Sequence, residues 1–119
     1  PVRCRAGQLN QVFHNLLGNA LDAIGGAGTV QVESARRGDA VEISVSDTGP
    51  GVAAEARVHL FEPFFTTKGV GKGTGLGLAT SYQIIKNHGG TLELDAAFAG
   101  GARFVIRLPV TAEVDGAQR

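Results

Sequence analysis

The chain has no methionine, a single cysteine and no net charge, with eleven Lys and Arg residues against eleven Asp and Glu. The lone Cys4 excludes an intrachain disulfide and a zinc cluster and indicates a reducing compartment. Without an excess of positive charge the chain cannot track a phosphate backbone or an anionic lipid surface, so we predict no nucleic-acid partner and no membrane contact. No apolar run approaches the length of a membrane span. Natural reading frames begin with methionine, so we expect a fragment of a longer protein.

The remaining composition is that of one globular domain with an excess of glycine. Hydrophobic residues make up 43% of the 119 positions, enough for a single buried core. The 18 glycines are about 15% of the chain, roughly twice the usual share. Because no collagen-like or low-complexity repeat contains them, we expect the glycines to have individual structural or binding roles.

Apolar spacing predicts two helices, at Gln8–Ile24 and Leu76–Asn87, with a short weakly helical stretch near Ala54–Leu60 between them. Alternating residues predict two hairpins, one with strands around Val30–Val32 and Val41–Val45, and one with strands at Leu92–Asp95 and Arg103–Leu108. Paired strands interleaved with helices favour an α+β fold, a two-layer α/β sandwich whose mixed, mostly antiparallel sheet has helices on one face.

One face of the first helix has an unusual polar stripe. Its members recur every three or four residues, and all but one are amides: Gln8, Gln11, Asn15, Asn19 and Asp22. Asparagine carbonyls suit Mg²⁺ as hard oxygen ligands and the amide NH₂ groups can donate to phosphate, so a magnesium nucleotide would fit here. A helix that faces another subunit or solvent explains the stripe equally well.

Asp47 ends the second strand of the first hairpin and is followed by Thr-Gly-Pro-Gly. A carboxylate at this position, beside glycines that let the backbone approach a flat ligand, could accept the amino group of adenine. An ordinary turn is the commoner meaning of such a segment.

A glycine-rich segment, Gly69–Gly77, precedes the second helix. Backbone NH groups at a helix N-terminus bind anions, and Lys72 adds a positive charge, so the segment is a candidate phosphate site. It matches neither the Walker pattern nor the dinucleotide fingerprint. Phe61, Phe64 and Phe65 come just before it and either fill the core or anchor a lid.

Four of these segments occur in an order that resembles a known family. His14–Ala20 looks like an N box, Asp47–Gly51 like a G1 box, Phe61–Lys68 like an F box and Gly73–Leu78 like a G2 box. From about Gln8 to Pro109 the chain resembles the catalytic, ATP-binding domain of sensor histidine kinases in the GHKL superfamily.

The resemblance implies a Bergerat-type sandwich that holds ATP and Mg²⁺ beneath a lid running from about Thr66 to Gly73. It gives Asn15 and Asn19 the catalytic role of contacting Mg²⁺ and the phosphates, and it gives Asp47 a bond to the adenine amino group. Residues 1–110 would form this domain and 111–119 a polar tail. The implied nucleotide-binding residues are Asn15, Asn19, Asp22, Asp47, Gly49, Gly51, Phe64, Phe65, Lys68, Lys72, Gly73, Thr74, Gly75, Leu76 and Gly77.

The implied reaction is transfer of the ATP γ-phosphoryl group to a histidine on a separate dimerisation domain, with a response regulator as indirect partner. No histidine here stands in a phosphoacceptor context, so this chain should not complete the reaction alone. The resemblance implies a cytoplasmic domain, whose parent can be anchored in the inner membrane. Two departures from the family are an acidic Asp22 where many relatives have lysine, and the lack of hydroxyl residues in Gly101–Phe104.

Two alternatives stay open beside the kinase. A GHKL-type ATPase would use a glutamate at the position of Asn15 to activate water, and asparagine cannot act as a general base at neutral pH. A non-catalytic nucleotide-binding module would keep the boxes without transferring phosphate.

Overall fold

The computed structural model describes residues 6–57, 59–62, 77–95 and 97–109. In chain order the elements are α1 (Ala6–Ile24), β1 (Val30–Arg37), β2 (Ala40–Asp47), α2 (Ala54–Arg57), α3 (Gly77–Asn87), β3 (Thr91–Leu94) and β4 (Ala102–Pro109). Both predicted helices and both predicted hairpins are present. Most predicted boundaries differ by one or two residues, but β1 continues five residues beyond Val32, and the α2 helix ends at Arg57, three residues before Leu60. The predicted 111–119 tail and Leu76 lie outside the described residues.

The four strands form one sheet in the order β1-β2-β4-β3, and each neighbouring pair in it is antiparallel. The α+β prediction is therefore confirmed, although a mixed sheet was expected and no parallel pair occurs among the described strands. Gly38, with a φ of 60°, forms the two-residue turn of the first hairpin together with Asp39. A positive φ of this kind favours glycine in tight hairpin turns.

The core lies between one face of the sheet and the helices α1 and α3. Alternate residues of β4 point into it, and α1 contributes residues three or four positions apart, as its periodicity predicts. The most deeply buried side chains are Val12, Leu16, Ser81, Ile85, Leu92, Ile106 and Leu108. One of these seven is polar, and it lies on α3.

The opposite face of the sheet is charged. Arg107 donates to Glu42 at 2.8 Å and to Glu93 at 3.0 Å, and its side chain remains 48% exposed. Hydrogen bonds to Glu42 and then Glu93 raise the pKa of Arg107. Helices therefore cover one face and solvated ion pairs the other. No helix in the described ranges is long and apolar enough to cross a membrane.

Candidate functional site

The candidate site has two groups of described residues, each combining predicted residues with others that the sequence analysis did not assign to the site. The first group, here called the Asn15 end, joins α1 to the start of α3 through Asn15, Gly77 and Ser81. The second group, the Asp47 end, joins the end of β2 to the start of β4 through Asp47, Gly49, Gly51, Gly101 and Ala102.

At the Asn15 end, the side-chain amide of Asn15 bridges the two long helices. Its Nδ2 donates to the carbonyl oxygen of Gly77 at 3.2 Å and to the hydroxyl of Ser81 at 3.1 Å. An amide nitrogen carries two hydrogens, and here each has an acceptor. Among the described residues, nothing donates to Oδ1 of Asn15. Among these residues, Oδ1 therefore remains available to bind a metal or to accept a further hydrogen bond, whereas both hydrogens of Nδ2 already have acceptors.

Ser81 is a member of the site that the sequence analysis missed. It is fully buried on α3, three and four residues before the buried Ile84 and Ile85, and it lies four residues after Gly77 on the same helix face. The available signal was this spacing, because a serine one turn beyond a predicted site glycine faces the same neighbour. A hydroxyl at a core position requires a hydrogen-bonding partner, which Asn15 supplies.

Asn19 and Asp22 continue along α1 from Asn15. Asn19, one turn further, is half-buried, and Asp22 is exposed. Each interacts with another group of the protein. Their amide and carboxylate oxygens are hard donors that fit Mg²⁺, as does the Oδ1 of Asn15. No cluster of three His, Cys, Asp or Glu side chains that could hold a metal occurs in the described part of the chain. A metal at this end would thus depend on amide oxygens and on oxygens of its own ligand.

At the Asp47 end, Asp47 is 5% exposed and backbone NH groups hold its carboxylate. Oδ1 accepts from the NH of Gly49 at 2.8 Å and from the NH of Ala102 at 3.4 Å. Both bonds go to the same oxygen, and among the described residues nothing donates to Oδ2. A buried carboxylate fixed through one oxygen presents the other as a hydrogen-bond acceptor for a donor group such as an amine.

The glycines around Asp47 are required by protein packing. A Cβ on Gly49 would come within 2.7 Å of the Ala23 carbonyl oxygen, and one on Gly51, whose φ is 79°, would come within 3.0 Å of the Gly101 carbonyl oxygen. At Gly101, with a φ of 152°, a Cβ would collide with the carbonyl of Asp47 itself. The backbone of the Asp47 turn therefore packs closely against α1 and against the turn that precedes β4.

Gly77 differs from these glycines. A Cβ there would meet Asn15 at 3.7 Å, an ordinary contact, so the protein alone does not require a glycine at this position. Ala23 and Asn15 lie eight residues apart on α1, which places the two ends about 12 Å apart along the helix. The arrangement suits an elongated ligand with a hydrogen-bond donor at one end and anionic oxygens at the other.

For one of the three phenylalanines, the structure decides between filling the core and anchoring a lid. Phe61 packs against the core, stacked on Tyr82 at 5.1 Å and edge-on to Phe104 at 6.4 Å. The other predicted members of the lid and of the phosphate segment lie outside the described residues: Phe64, Phe65, Lys68, Lys72, Gly73, Thr74, Gly75 and Leu76. Their predicted roles therefore stay predictions.

The three histidines differ in their surroundings. His14 is exposed on α1, His59 forms a 2.9 Å contact with Glu62, and the His88 ring contacts the Ile84 carbonyl at 2.8 Å just beyond the end of α3. The contact of His88 is that of a helix cap.

A concavity of about 460 Å³ lies on the charged face of the sheet and includes none of the predicted site residues. Its side chains already form ion pairs with one another, which is typical of a solvated surface.

Comparison with known proteins decides the family. The family described as "Histidine kinase-, DNA gyrase B-, and HSP90-like ATPase" matches residues 4–112. The chain belongs to this ATPase family. Among curated relatives of this domain, the sensor histidine kinase ZraS of Escherichia coli O157:H7 is 46% identical over 109 residues, which cover 92% of the chain and 23% of ZraS. The chain thus spans less than a quarter of that relative.

Solved histidine kinase structures have the same fold. The catalytic domain of histidine kinase ThkA superposes with a TM-score of 0.81 at 35% identity, over 91% of this chain and 70% of that one. ThkA has also been solved in complex with the response regulator TrrA, where the TM-score is 0.72 at 33% identity over 87% of this chain and 28% of that one. Full-length ShkA in complex with AMPPNP has a TM-score of 0.76 at 37% identity, over 91% and 23%. The resemblance to a histidine kinase catalytic domain is confirmed, and ATP binding follows from the family.

Proposed function

We propose that the chain binds Mg²⁺-ATP with the adenine at the Asp47 end and the phosphates and metal at the Asn15 end. Oδ2 of Asp47 would accept the adenine amino group. Oδ1 of Asn15, together with Asn19, would face the metal and the phosphate oxygens. Bound Mg²⁺ supplies neutralisation of phosphate charge. The single observation that carries the proposal is that each end has one side-chain atom fixed by the protein and a second acceptor atom to which no described residue donates.

The proposed reaction is transfer of the γ-phosphoryl group to a histidine on a separate dimerisation domain of the parent protein. In such transfers the protein mainly positions the reactants and neutralises charge. Asn15 and Asn19 would hold the metal side of ATP, and the α3 N-terminus would face its phosphates, with Lys68 or Lys72 nearby in sequence. A response regulator as later acceptor is supported by the ThkA complex with TrrA. A cytoplasmic location belongs to the same proposal.

Asn15 favours transfer to an acceptor over direct hydrolysis. Activation of water requires a general base, and an amide cannot act as one at neutral pH. Asn15 also donates both its amide hydrogens to α3, so its chemistry is that of a ligand and a helix clamp. Fast ATP hydrolysis by the isolated chain would support the ATPase alternative. A non-catalytic module would bind nucleotide and leave a supplied dimerisation domain unphosphorylated.

Titration with a non-hydrolysable ATP analogue, with and without Mg²⁺, tests the binding proposal. We expect weak binding that Mg²⁺ tightens, and loss of the Mg²⁺ effect in Asn15→Ala and Asn19→Ala. Phosphorylation of the parent's dimerisation domain supplied in trans then tests the kinase proposal. Absence of binding in both conditions would contradict the first proposal, and Mg²⁺-dependent activity that persists in both variants would contradict the metal assignment.

A further inference from the structure

Ser81 is the fully buried polar residue whose presence on α3 the proposed function does not yet explain. Apolar packing would favour an aliphatic side chain at this position, because its buried neighbours on the same helix are Ile84 and Ile85. Serine in a helix interior also tends to compete with the helix for backbone hydrogen bonds. A residue that is unfavourable for both reasons needs a compensating contact, and among the described residues its hydrogen-bond partner is the amide of Asn15 at 3.1 Å.

The two acceptors around Asn15 have different effects on its amide. The Gly77 carbonyl can only accept, so an inverted amide would place Oδ1 against another oxygen, 3.2 Å away. Gly77 therefore selects which end of the amide faces α3. A single hydrogen bond still leaves the amide plane free to rotate about the bond to Gly77. The Ser81 hydroxyl takes the second hydrogen and removes that freedom.

We propose that Ser81 is a positioning residue that fixes the direction of Oδ1 of Asn15 for the bound metal. The inference rests on the proposed function, because it assumes that Asn15 contacts Mg²⁺. Ser81 touches neither metal nor nucleotide in this proposal and acts only through Asn15. An amide that is already oriented before binding does not have to lose rotational freedom when the metal arrives, so the metal binds more tightly.

The test compares Ser81→Ala with Thr80→Ala in the 119-residue chain. Thr80 is a half-buried hydroxyl residue on the same helix that makes no hydrogen bond to Asn15 in the described structure, and its variant removes the hydroxyl together with one methyl group. The measured quantity is the ratio of AMPPNP dissociation constants without and with Mg²⁺. We expect Ser81→Ala to lower this ratio about threefold to tenfold, as loss of one hydrogen bond would, and Thr80→Ala to leave it unchanged. Affinity without Mg²⁺ should remain that of the unmodified chain.

A second readout requires no nucleotide. In the unmodified chain the NMR signals of the two Nδ2 protons of Asn15 should show slow exchange with solvent, and in Ser81→Ala this exchange should be faster. Ser81→Thr keeps the hydroxyl and should keep both the signals and the ratio. Ser81→Cys keeps the buried volume with a much weaker partner, and it carries the same test if the alanine variant fails to fold.

The outcomes separate this inference from the proposed function. If Asn15→Ala loses the Mg²⁺ effect while Ser81→Ala retains it with unchanged amide signals, Ser81 is only a packing residue and the inference is wrong. If Asn15→Ala retains the Mg²⁺ effect, Asn15 does not contact the metal, and the inference about Ser81 is wrong as well. Loss of the effect in Asn15→Ala together with its reduction in Ser81→Ala and recovery in Ser81→Thr supports both.

Discussion

The Asp47 end and the Asn15 end use the same principle with different materials. Each side chain has one polar atom held by the protein and one acceptor oxygen that receives no hydrogen bond from the described residues. At Asp47 the holding groups are two backbone NH groups, in a turn whose glycines leave no room for a Cβ atom. At Asn15 one of the two holding groups is a side chain on another helix. The Asp47 end is therefore determined by the path of the main chain, whereas a single substitution can alter the Asn15 end.

The largest effect is expected from Gly101→Ala, which changes the main-chain path at the Asp47 end. With a φ of 152° and the Asp47 carbonyl against it, a Cβ can be accommodated only by displacement of the backbone. We expect a loss of about 3 kcal/mol in the free energy of unfolding. Thermal unfolding should show a fall in Tm of roughly 10 °C. Gly100→Ala is the matched control, since its φ is 89° but its Cβ would meet nothing within 4 Å. Equal losses in both variants would mean that dihedral strain, and not the close approach, limits this turn.

Asp47→Asn should separate ligand binding from stability. The variant keeps Oδ1 for the two backbone NH groups and replaces Oδ2 by an NH₂ group, which would face the adenine amino group donor to donor. We expect ATP-analogue affinity to fall about tenfold to a hundredfold, because a hydrogen bond to a charged group is lost. The loss in the free energy of unfolding, measured by urea denaturation, should be smaller than the loss in the free energy of binding. A parallel titration with inosine triphosphate, whose 6-oxo group accepts, should show a weaker loss.

The opposite result for Asp47→Asn, a large loss of stability with unchanged affinity, would return Asp47 to an ordinary turn role.

Asn15→Asp makes the reverse exchange, amide to carboxylate, at the Asn15 end. It keeps the oxygen ligand and adds charge, but it places a carboxylate oxygen against the Gly77 carbonyl, where Nδ2 had donated. We expect a loss of about 1 to 2 kcal/mol in the free energy of unfolding, measured by urea denaturation, from repulsion at the α1–α3 contact. Asn10→Asp, on an exposed face of the same helix, serves as the control for added charge. A stability equal to that control would show that the Gly77 contact contributes nothing.

The smallest effect is expected on the charged face of the sheet. Arg107→Ala removes the contacts with Glu42 and Glu93, but the side chain is 48% exposed. Exposed ion pairs contribute less than about 1 kcal/mol, and high salt should reduce the difference further. Nucleotide affinity, measured by the same titration, should be unchanged. A loss of affinity here would mean that the two faces of the sheet are coupled.

Local sequence patterns predicted most of the fold. The α1 face recurs every three or four residues, and the strands alternate, so both signals are contained in short windows. Leu9, Val12 and Leu16 are buried as their spacing predicts. The pattern does not locate the end of α2, because its apolar periodicity is weak and a helix of four residues depends on tertiary contacts.

The candidate site was predicted residue by residue, but its internal contacts were not. Asn15 was selected as an amide on a helix, whereas its partner Ser81 is 66 residues away in sequence, and no local pattern links the two. The glycines beside Asp47 were attributed to the approach of a ligand, and their contacts with Ala23 and Gly101 depend on how α1 and β4 pack against β2. Contacts between residues far apart in sequence can be identified only from the folded structure.

The position of β4 between β2 and β3 has a consequence for the order of folding. Asp47 accepts a hydrogen bond from an NH group 55 residues later in the chain, so the candidate nucleotide site depends on a contact between distant segments. During synthesis, β1 and β2 can form a hairpin early, but the free edge of β2 stays unpaired until β4 has emerged. An unpaired strand edge is a template for aggregation. We therefore expect chains interrupted before residue 102 to lose nucleotide binding and solubility together, because one strand completes both the site and the sheet.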